Sequence, residues 1–297
     1  MSYFPAFPMP ACHEDEDNKK YGDRRLVLDA LSQTCRSLRR VFLRYRWERV
    51  EVYEKMDLGS GPLAVLSNFY MTPVQPSMLK KYAKELVRQL EVVTIREPAL
   101  AELVKVLDVL VVDYSTRSVL AELARCIALM PNLHTIHIEF RIKNGGKLIP
   151  ETFARYTYPQ ICSAYTQFEA LSLLSRCPTV KALYFIKDSS ALNRFLCSDK
   201  TLPSHSSLEI IGPIYVQFSR LFEHFIRLTR FEKLRDVAFL LPEAPAEKDM
   251  RGLWKIPSLA YIRIVFSYDM QWGSESEVEW QESDFGTNDR EKFGWDN

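Results

Sequence analysis

Residues 131–138 read Pro-Asn-Leu-His-Thr-Ile-His-Ile, and this stretch decides the fold. Leu133 is followed three residues later by Ile136 and then, after one polar residue, by Ile138. Alternate side chains of a strand share one face, so the two isoleucines point to the same side of it. Leu133 anchors the approach to the strand. The stretch therefore predicts a short strand with one buried face.

The same pattern, Leu-x-x-apolar-x-apolar, recurs along the chain. Two further copies follow Pro178 and Pro257, and a copy without the proline begins at Leu234. Weaker copies begin at Trp47, Leu90, Leu107 and Leu208. Several successive copies start about 25 residues apart, a spacing typical of leucine-rich repeats, in which each unit supplies one strand and one helix.

Helical patterns precede several of these strands. Apolar residues recur at helical spacing in residues 79–90, 119–130, 168–177 and 218–228. A strand and helix this small cannot bury their own apolar faces, so neighbouring units must stack. We therefore predict an α/β fold, a leucine-rich-repeat-like curved solenoid. The alternative is a conventional α/β domain whose strands share a common pattern.

Composition narrows the class of protein. The chain has 297 residues, of which 47% are hydrophobic, so it is not an intrinsically disordered protein. Its 39 basic and 38 acidic side chains give a formal net charge of +1, which argues against binding nucleic acid or an anionic membrane through an overall field. No apolar run of about 18 residues occurs, and the first residues lack a secretory signal pattern. We expect a cytoplasmic or nuclear protein with free cysteines.

Four regions follow from these patterns. Residues 1–22 combine prolines with a charged block and are predicted to be a disordered tail. Residues 23–53 form a short helical segment, residues 54–268 the repeat domain, and residues 269–297 an acidic tail.

The helical segment carries a family resemblance. Residues 31–39 read Leu-Ser-Gln-Thr-Cys-Arg-Ser-Leu-Arg, residues 41–43 Val-Phe-Leu, and residues 47–52 Trp-Glu-Arg-Val-Glu-Val. These blocks resemble the second half of the F-box in the large fungal family of F-box proteins with degenerate leucine-rich repeats. The Leu-Pro helix that opens an F-box has no counterpart in residues 13–22.

The resemblance implies a function in protein recognition. In that family the F-box binds the Skp-type adaptor protein of a cullin-RING ubiquitin ligase, and the repeats present a protein substrate. One helical face of the segment would make the adaptor contact, and its apolar residues are Leu28, Leu31, Cys35, Leu38 and Phe42. A repeat scaffold that never binds the adaptor is the alternative.

The predicted strands also indicate where the protein substrate would bind. If Leu133 and Ile136 face inward, then the residues between the apolar positions face outward. Tyrosine and arginine are enriched in binding hot spots. The candidate substrate-binding residues are His137, Glu139, Tyr184, Tyr261 and Arg263.

Catalytic patterns are missing from the sequence. There is no phosphate-binding G-x-x-x-x-G-K-[ST] loop and no G-x-S-x-G nucleophile motif. On a strand His134 and His137 face opposite ways and cannot share a metal ion. We therefore predict no enzyme activity, catalytic residue, metal or cofactor. An unrecognised α/β hydrolase or transferase is the alternative from the enzyme class.

Overall fold

A computed structural model describes residues 14–52, 76–142, 145–167, 170–185, 207–215, 228, 231–241, 261–267 and 275–281. For residues 14–23, 76, 171, 213–215, 239–241, 261–267 and 275–281 the description is of the backbone alone. The chain divides into two compact units, residues 1–179 and 180–297.

The first unit combines helices with parallel strands. Its helices in the described part are α1 (Glu14–Thr34), α2 (Arg36–Trp47), α3 (Pro76–Glu91), α4 (Thr116–Leu129), α5 (Leu148–Phe153) and α6 (Leu171–Leu174). Its strands are β1 (Arg49–Val52), β2 (Val106–Val112), β3 (Thr135–Arg141) and β4 (Ser163–Thr166), which pair in parallel in that order. The parallel pairing and the alternating helices make the fold α/β.

One apolar face of this sheet forms the core of the first unit. Leu107 pairs in register with Ile136, and Val109 with Ile138, so all four share a face, and none is more than 2% exposed. Helices α3 and α4 contact β2 and carry buried stripes that include Leu86 and Leu90, and Leu120 and Leu123. Each buried leucine contributes about 1.5–3 kcal/mol relative to an exposed one.

A repeated backbone arrangement marks where each strand begins. The carbonyl of Glu48 accepts hydrogen bonds from the amides of Lys105 (2.8 Å) and Val106 (3.1 Å). Lys105 accepts in the same way from the next copy, and His134 from the one after. These three carbonyls place repeat starts one residue earlier, at Trp47, Val104 and Leu133. The amides of Cys162 and Ser163, which donate to His134, place the next start at Ile161 in the same way.

Two repeat positions therefore differ from the sequence prediction. The copy assigned to Leu107 starts instead at Val104, with Leu107 and Val109 as its paired apolar positions. An additional copy at Ile161 supplies β4. It was missed because Thr166 replaces the last apolar residue, although that side chain is also buried.

The second unit has the same kind of strands. Strands β5 (Ala182–Phe185), β6 (Ile210–Tyr215), β7 (Asp236–Leu241) and β8 (Tyr261–Ser267) pair in parallel, and β9 (Glu275–Gln281) lies antiparallel to β8. The carbonyls of Lys181 and Glu209 each accept two amides of the following copy, as in the first unit.

The strands predicted in residues 131–138, 178–185, 234–239 and 257–264 are all present. The copy predicted at Leu90 is wrong. Leu90 lies at the end of α3, and the next residues form a π-helical turn, Val92–Arg96. Leu86, Leu90 and Val93 are completely buried and follow one another at helical spacing, so the helical period prevails over the strand period.

The predicted helices have three outcomes. Residues 79–90 and 119–130 are helical, as parts of α3 and α4 or their ends. In the described part of the third range, residues 170–177, the α-helix is the short α6. Residues 218–228 lie outside the described residues except for Leu228.

The predicted tails both contain regular structure. Helix α1 begins at Glu14, inside the segment assigned to the N-terminal tail, and acidic residues at a helix start favour helix formation. Strand β9 lies inside the predicted acidic tail. Its sequence alternates glutamates with Ser276, Val278 and Trp280, which is the period of a strand with one apolar face.

Candidate functional site

A row of polar side chains crosses the first unit on the face opposite Leu107 and Ile136. In the parallel register Glu51, Asp108, His137 and Tyr165 stand side by side on four successive strands. Arg49 lies on the same face of β1, two residues before Glu51. We call these five residues the polar row.

Ion pairs join the members of the polar row. Arg49 Nε donates to Glu51 Oε1 over 2.5 Å, and Arg49 Nη2 lies 3.6 Å from Asp108 Oδ2. His137 Nδ1 lies 2.7 Å from the other oxygen, Oδ1, of Asp108. The Asp108 carboxylate therefore links an arginine on β1 to a histidine on β3. Because Arg49 and Glu51 are both buried, the loss of either charge removes a buried ion pair and is expected to be destabilising.

His137 is held in a defined orientation. Its Nδ1 carries the proton that Asp108 accepts, and its ring meets Tyr165 edge-on with centroids 6.1 Å apart. Burial alone lowers the pKa of His137, but the charge and hydrogen bond of Asp108, with help from Glu139, outweigh burial and raise it. The imidazole therefore keeps its positive charge to higher pH than an ordinary histidine.

The strand-face candidates of β3 lie on the face opposite Ile136 and Ile138. The structure brings His137 and Glu139 together on β3, where both are half-buried rather than exposed. Arg141 Nε donates to Glu139 Oε1 over 2.9 Å, so the carboxylate is already paired. Thr135 also lies between the apolar positions Leu133 and Ile136, but it is buried, and its hydroxyl lies 2.7 Å from His134 Nδ1.

The other candidates on the strand face belong to the second unit. Tyr184 is half-buried on β5. Tyr261 and Arg263 lie on β8, in register with Asp236 and Ala238, and their side chains lie outside the described ones.

Sequence reasoning missed Arg49, Glu51, Asp108 and Tyr165. A pattern in the sequence could have identified three of these four residues. Glu51, Asp108 and Tyr165 are the middle residues of the paired apolar positions, as His137 is in the clearest copy. Once the copies are aligned from Val104 and Ile161, the middle residues form the polar row except for Arg49.

The predicted adaptor-binding face is divided between two helices. Cys35 lies between α1 and α2 in an extended conformation (φ −154°), and it is exposed. The Thr34 hydroxyl donates to the Leu31 carbonyl over 2.8 Å, a local bond of the kind that competes with helix continuation. Leu28 is buried, and Leu31 and Phe42 are half-buried. The single apolar face expected over these residues is therefore not formed.

Helix α2 instead exposes a different apolar stripe. Leu38, Val41 and Tyr45 follow at steps of three and four and are 37%, 53% and 47% exposed. Helix α2 contains no acidic residue. Four exposed arginines flank the stripe, namely Arg36, Arg39, Arg40 and Arg44. We call these seven residues the α2 surface. Exposed apolar patches with a polar rim mark sites of protein association.

The α1–α2 pair is held together and tied to the sheet by arginine side chains. Arg46, which is 7% exposed, pairs with Asp29 of α1 and lies 4.7 Å from the Trp47 ring centroid. Arg25 of α1 donates to the Glu51 carbonyl over 2.9 Å. These contacts hold the α2 surface in a fixed position relative to β1.

Two comparisons with known proteins, one with family models and one with curated proteins, give no match. Within the described ranges, no helix combines the length and the apolar character needed to cross a membrane.

Proposed function

We propose that this protein is a recognition module that binds another protein through the α2 surface. The exposed stripe of Leu38, Val41 and Tyr45 is the observation that carries the proposal. Tyrosine and arginine are enriched in protein interfaces, and the α2 surface contains both around an apolar centre. A partner for this surface needs an apolar recess with acidic side chains at its rim.

The partner we propose is a Skp-type adaptor, which is what the F-box resemblance of residues 31–52 implies. The protein is then the substrate-recognition subunit of a Skp/cullin-type ubiquitin ligase, acting in the cytoplasm or nucleus without catalysis of its own. The contact residues differ from those expected from the sequence. Leu38 remains, whereas Val41 and Tyr45 replace the buried Leu28 and the half-buried Phe42.

The strand face is proposed to bind the protein substrate. We infer that the repeats within each unit form a leucine-rich-repeat-like curved solenoid. Supporting this, each unit repeats the same double acceptance of amides by one carbonyl at the start of its strands. His137 and Tyr165 are partly accessible at the end of the polar row and present an imidazole and a phenol ring to a substrate.

The adaptor contact can be tested by co-purification of the full chain with a purified Skp-type adaptor. We expect Val41→Asp and Tyr45→Asp each to abolish binding, because both place a carboxylate in the centre of the contact. Leu129→Asp is the matched control, since Leu129 is 48% exposed on α4, away from the α2 surface. Circular dichroism confirms that each variant folds.

Two outcomes would contradict the adaptor role. The folded native chain could fail to bind the adaptor at all, or Leu129→Asp could weaken binding as strongly as Val41→Asp. The first outcome leaves a scaffold that binds other proteins. The second shows that the contact is non-specific.

A further inference from the structure

A groove in the first unit, separate from the α2 surface and the polar row, lies between α4 and the end of α5. It has a volume of about 310 Å³. Ser118, Glu122 and Arg125 line it from one side of α4, and Arg155 and Tyr156 line it from the residues that follow α5. Two guanidinium groups thus border one small groove against one carboxylate.

Arg125 is held in place by its neighbours. The Glu122 carboxylate accepts from Arg125 Nε over 2.9 Å and also from Nη2, and Arg125 Nη2 donates to the Thr94 hydroxyl over 2.9 Å. Its remaining nitrogen, Nη1, has no hydrogen-bond acceptor in the part of the chain that the structure describes. A guanidinium fixed in this way loses little side-chain entropy when it binds a ligand.

Arg155 supplies the uncompensated charge. It is exposed and makes no hydrogen bond or ion pair with any described residue. Glu122 is already paired with Arg125, so among the described residues that line the groove no carboxylate is left to pair with Arg155. Tyr156, the next residue, also lines the groove and carries a phenol hydroxyl.

We propose that this groove binds a phosphoryl group, carried by a small monoester or present as free phosphate. Arg155 binds the group through paired N–H donors, the geometry in which arginine recognises phosphate. Arg125 Nη1 and the Tyr156 hydroxyl provide further donors, which suits the several oxygens of a tetrahedral phosphoryl group. This site lies outside the proposed adaptor and substrate contacts and does not depend on them.

Calorimetric titration of the full chain tests the site with phenyl phosphate, inorganic phosphate and benzoate. We expect saturable binding of at least one phosphate probe and weaker binding of benzoate, which has only a planar carboxylate. Arg155→Gln should weaken phosphate binding about tenfold or more, because it removes a charge-assisted contact. Arg117→Gln is the matched control, since Arg117 is an exposed arginine of α4 that does not line the groove.

The probes separate the two sources of the phosphoryl group. Tighter binding of phenyl phosphate assigns a monoester, and equal or tighter binding of inorganic phosphate assigns free phosphate. The proposal is overturned if neither phosphate probe binds at millimolar concentration, if benzoate binds as tightly, or if Arg117→Gln weakens binding as much as Arg155→Gln. Thermal unfolding of each variant separates lost binding from lost folding.

Discussion

The side-chain amide of Gln89 pairs with both backbone polar groups of Glu51. Gln89 Nε2 donates to the Glu51 carbonyl over 2.9 Å, and the Glu51 amide donates to Gln89 Oε1 over 3.4 Å. A side chain of α3 thereby takes the place of a neighbouring strand on this side of β1. Gln89 is completely buried, so the pairing protects the strand from water and from other strands.

Replacing Gln89 by leucine should destabilise the protein. The substitution removes the partner of the buried Glu51 N–H and one of the donors to the Glu51 carbonyl. Each such loss costs about 1–3 kcal/mol. We expect the free energy of unfolding to fall by about 2–4 kcal/mol, measured by urea denaturation. Gln33→Leu, at an exposed position of α1, should change it by less than about 0.5 kcal/mol. Equal effects of the two variants would refute the pairing.

The pair of Asp108 and His137 should make stability depend on pH. Because the pKa of His137 is raised in the folded protein, its stabilising contribution is fully present below the ordinary histidine pKa. The contribution is lost as the pH rises through the raised pKa. Asp108→Asn removes the cause, so the stability difference between native protein and variant should shrink with rising pH. Urea denaturation at a series of pH values measures it, and a difference that grows with pH would contradict the assignment.

His134 should show the opposite dependence of stability on pH. Burial, followed by the charge of Lys105, lowers the pKa of His134, so the folded protein favours its neutral form. This histidine therefore destabilises the protein as the pH falls through its ordinary pKa. His134→Gln should improve stability at acidic pH relative to neutral pH in the same urea experiments. The same trend for His134→Gln and Asp108→Asn would show that the two sites are not distinguished.

Gly212 should not tolerate a side chain. It lies in β6 where the register with β7 shifts, and a Cβ there would be 2.5 Å from the Ala238 Cβ and 2.9 Å from the Ala238 amide nitrogen. We expect Gly212→Ala to lower the free energy of unfolding by about 1–3 kcal/mol through overpacking. At Gly146 a Cβ would meet nothing within 4 Å, so Gly146→Ala should have little effect. Thermal unfolding of both variants and the native protein measures the difference. A mild effect at Gly212 would mean that β6 and β7 do not approach so closely.

Removing the hydroxyl of Tyr158 should stabilise the protein. The side chain is completely buried, and its hydroxyl has no hydrogen-bond partner among the described residues. Burial raises the pKa of this phenol, which agrees with a poorly solvated group. Tyr158→Phe keeps the edge-on contact with Phe153 and should raise the free energy of unfolding by up to about 1–3 kcal/mol. Tyr45→Phe, at an exposed position, should leave it unchanged, whereas a less stable Tyr158→Phe would indicate a hidden partner.

The sequence predicted most of the strands because their signal is local. Ile136 and Ile138 are two residues apart, and the alternation alone places both on one face, where the structure also has them buried. The same pattern gave a wrong strand at Leu90, because the apolar residues there fit both helical and strand spacing. There the packing of Leu86, Leu90 and Val93 into the core selected the helix.

The candidate surfaces depended on contacts between distant residues. The resemblance identified residues 31–52 as an interaction segment, but the helix break at Cys35 decided that Val41 and Tyr45, rather than Leu28, are exposed. A helical pattern cannot show which of its faces another element will cover. The pairing of α1 with α2 made that choice.

The sequence by itself determined the α/β class and the inward faces of the repeated strands, because alternation of apolar residues depends only on neighbours along the chain. Only the tertiary structure decided that Asp108 meets His137 and that Gln89 covers the edge of Glu51. Those contacts require the register between strands and the position of a helix. Both are set by packing between segments that are far apart in sequence.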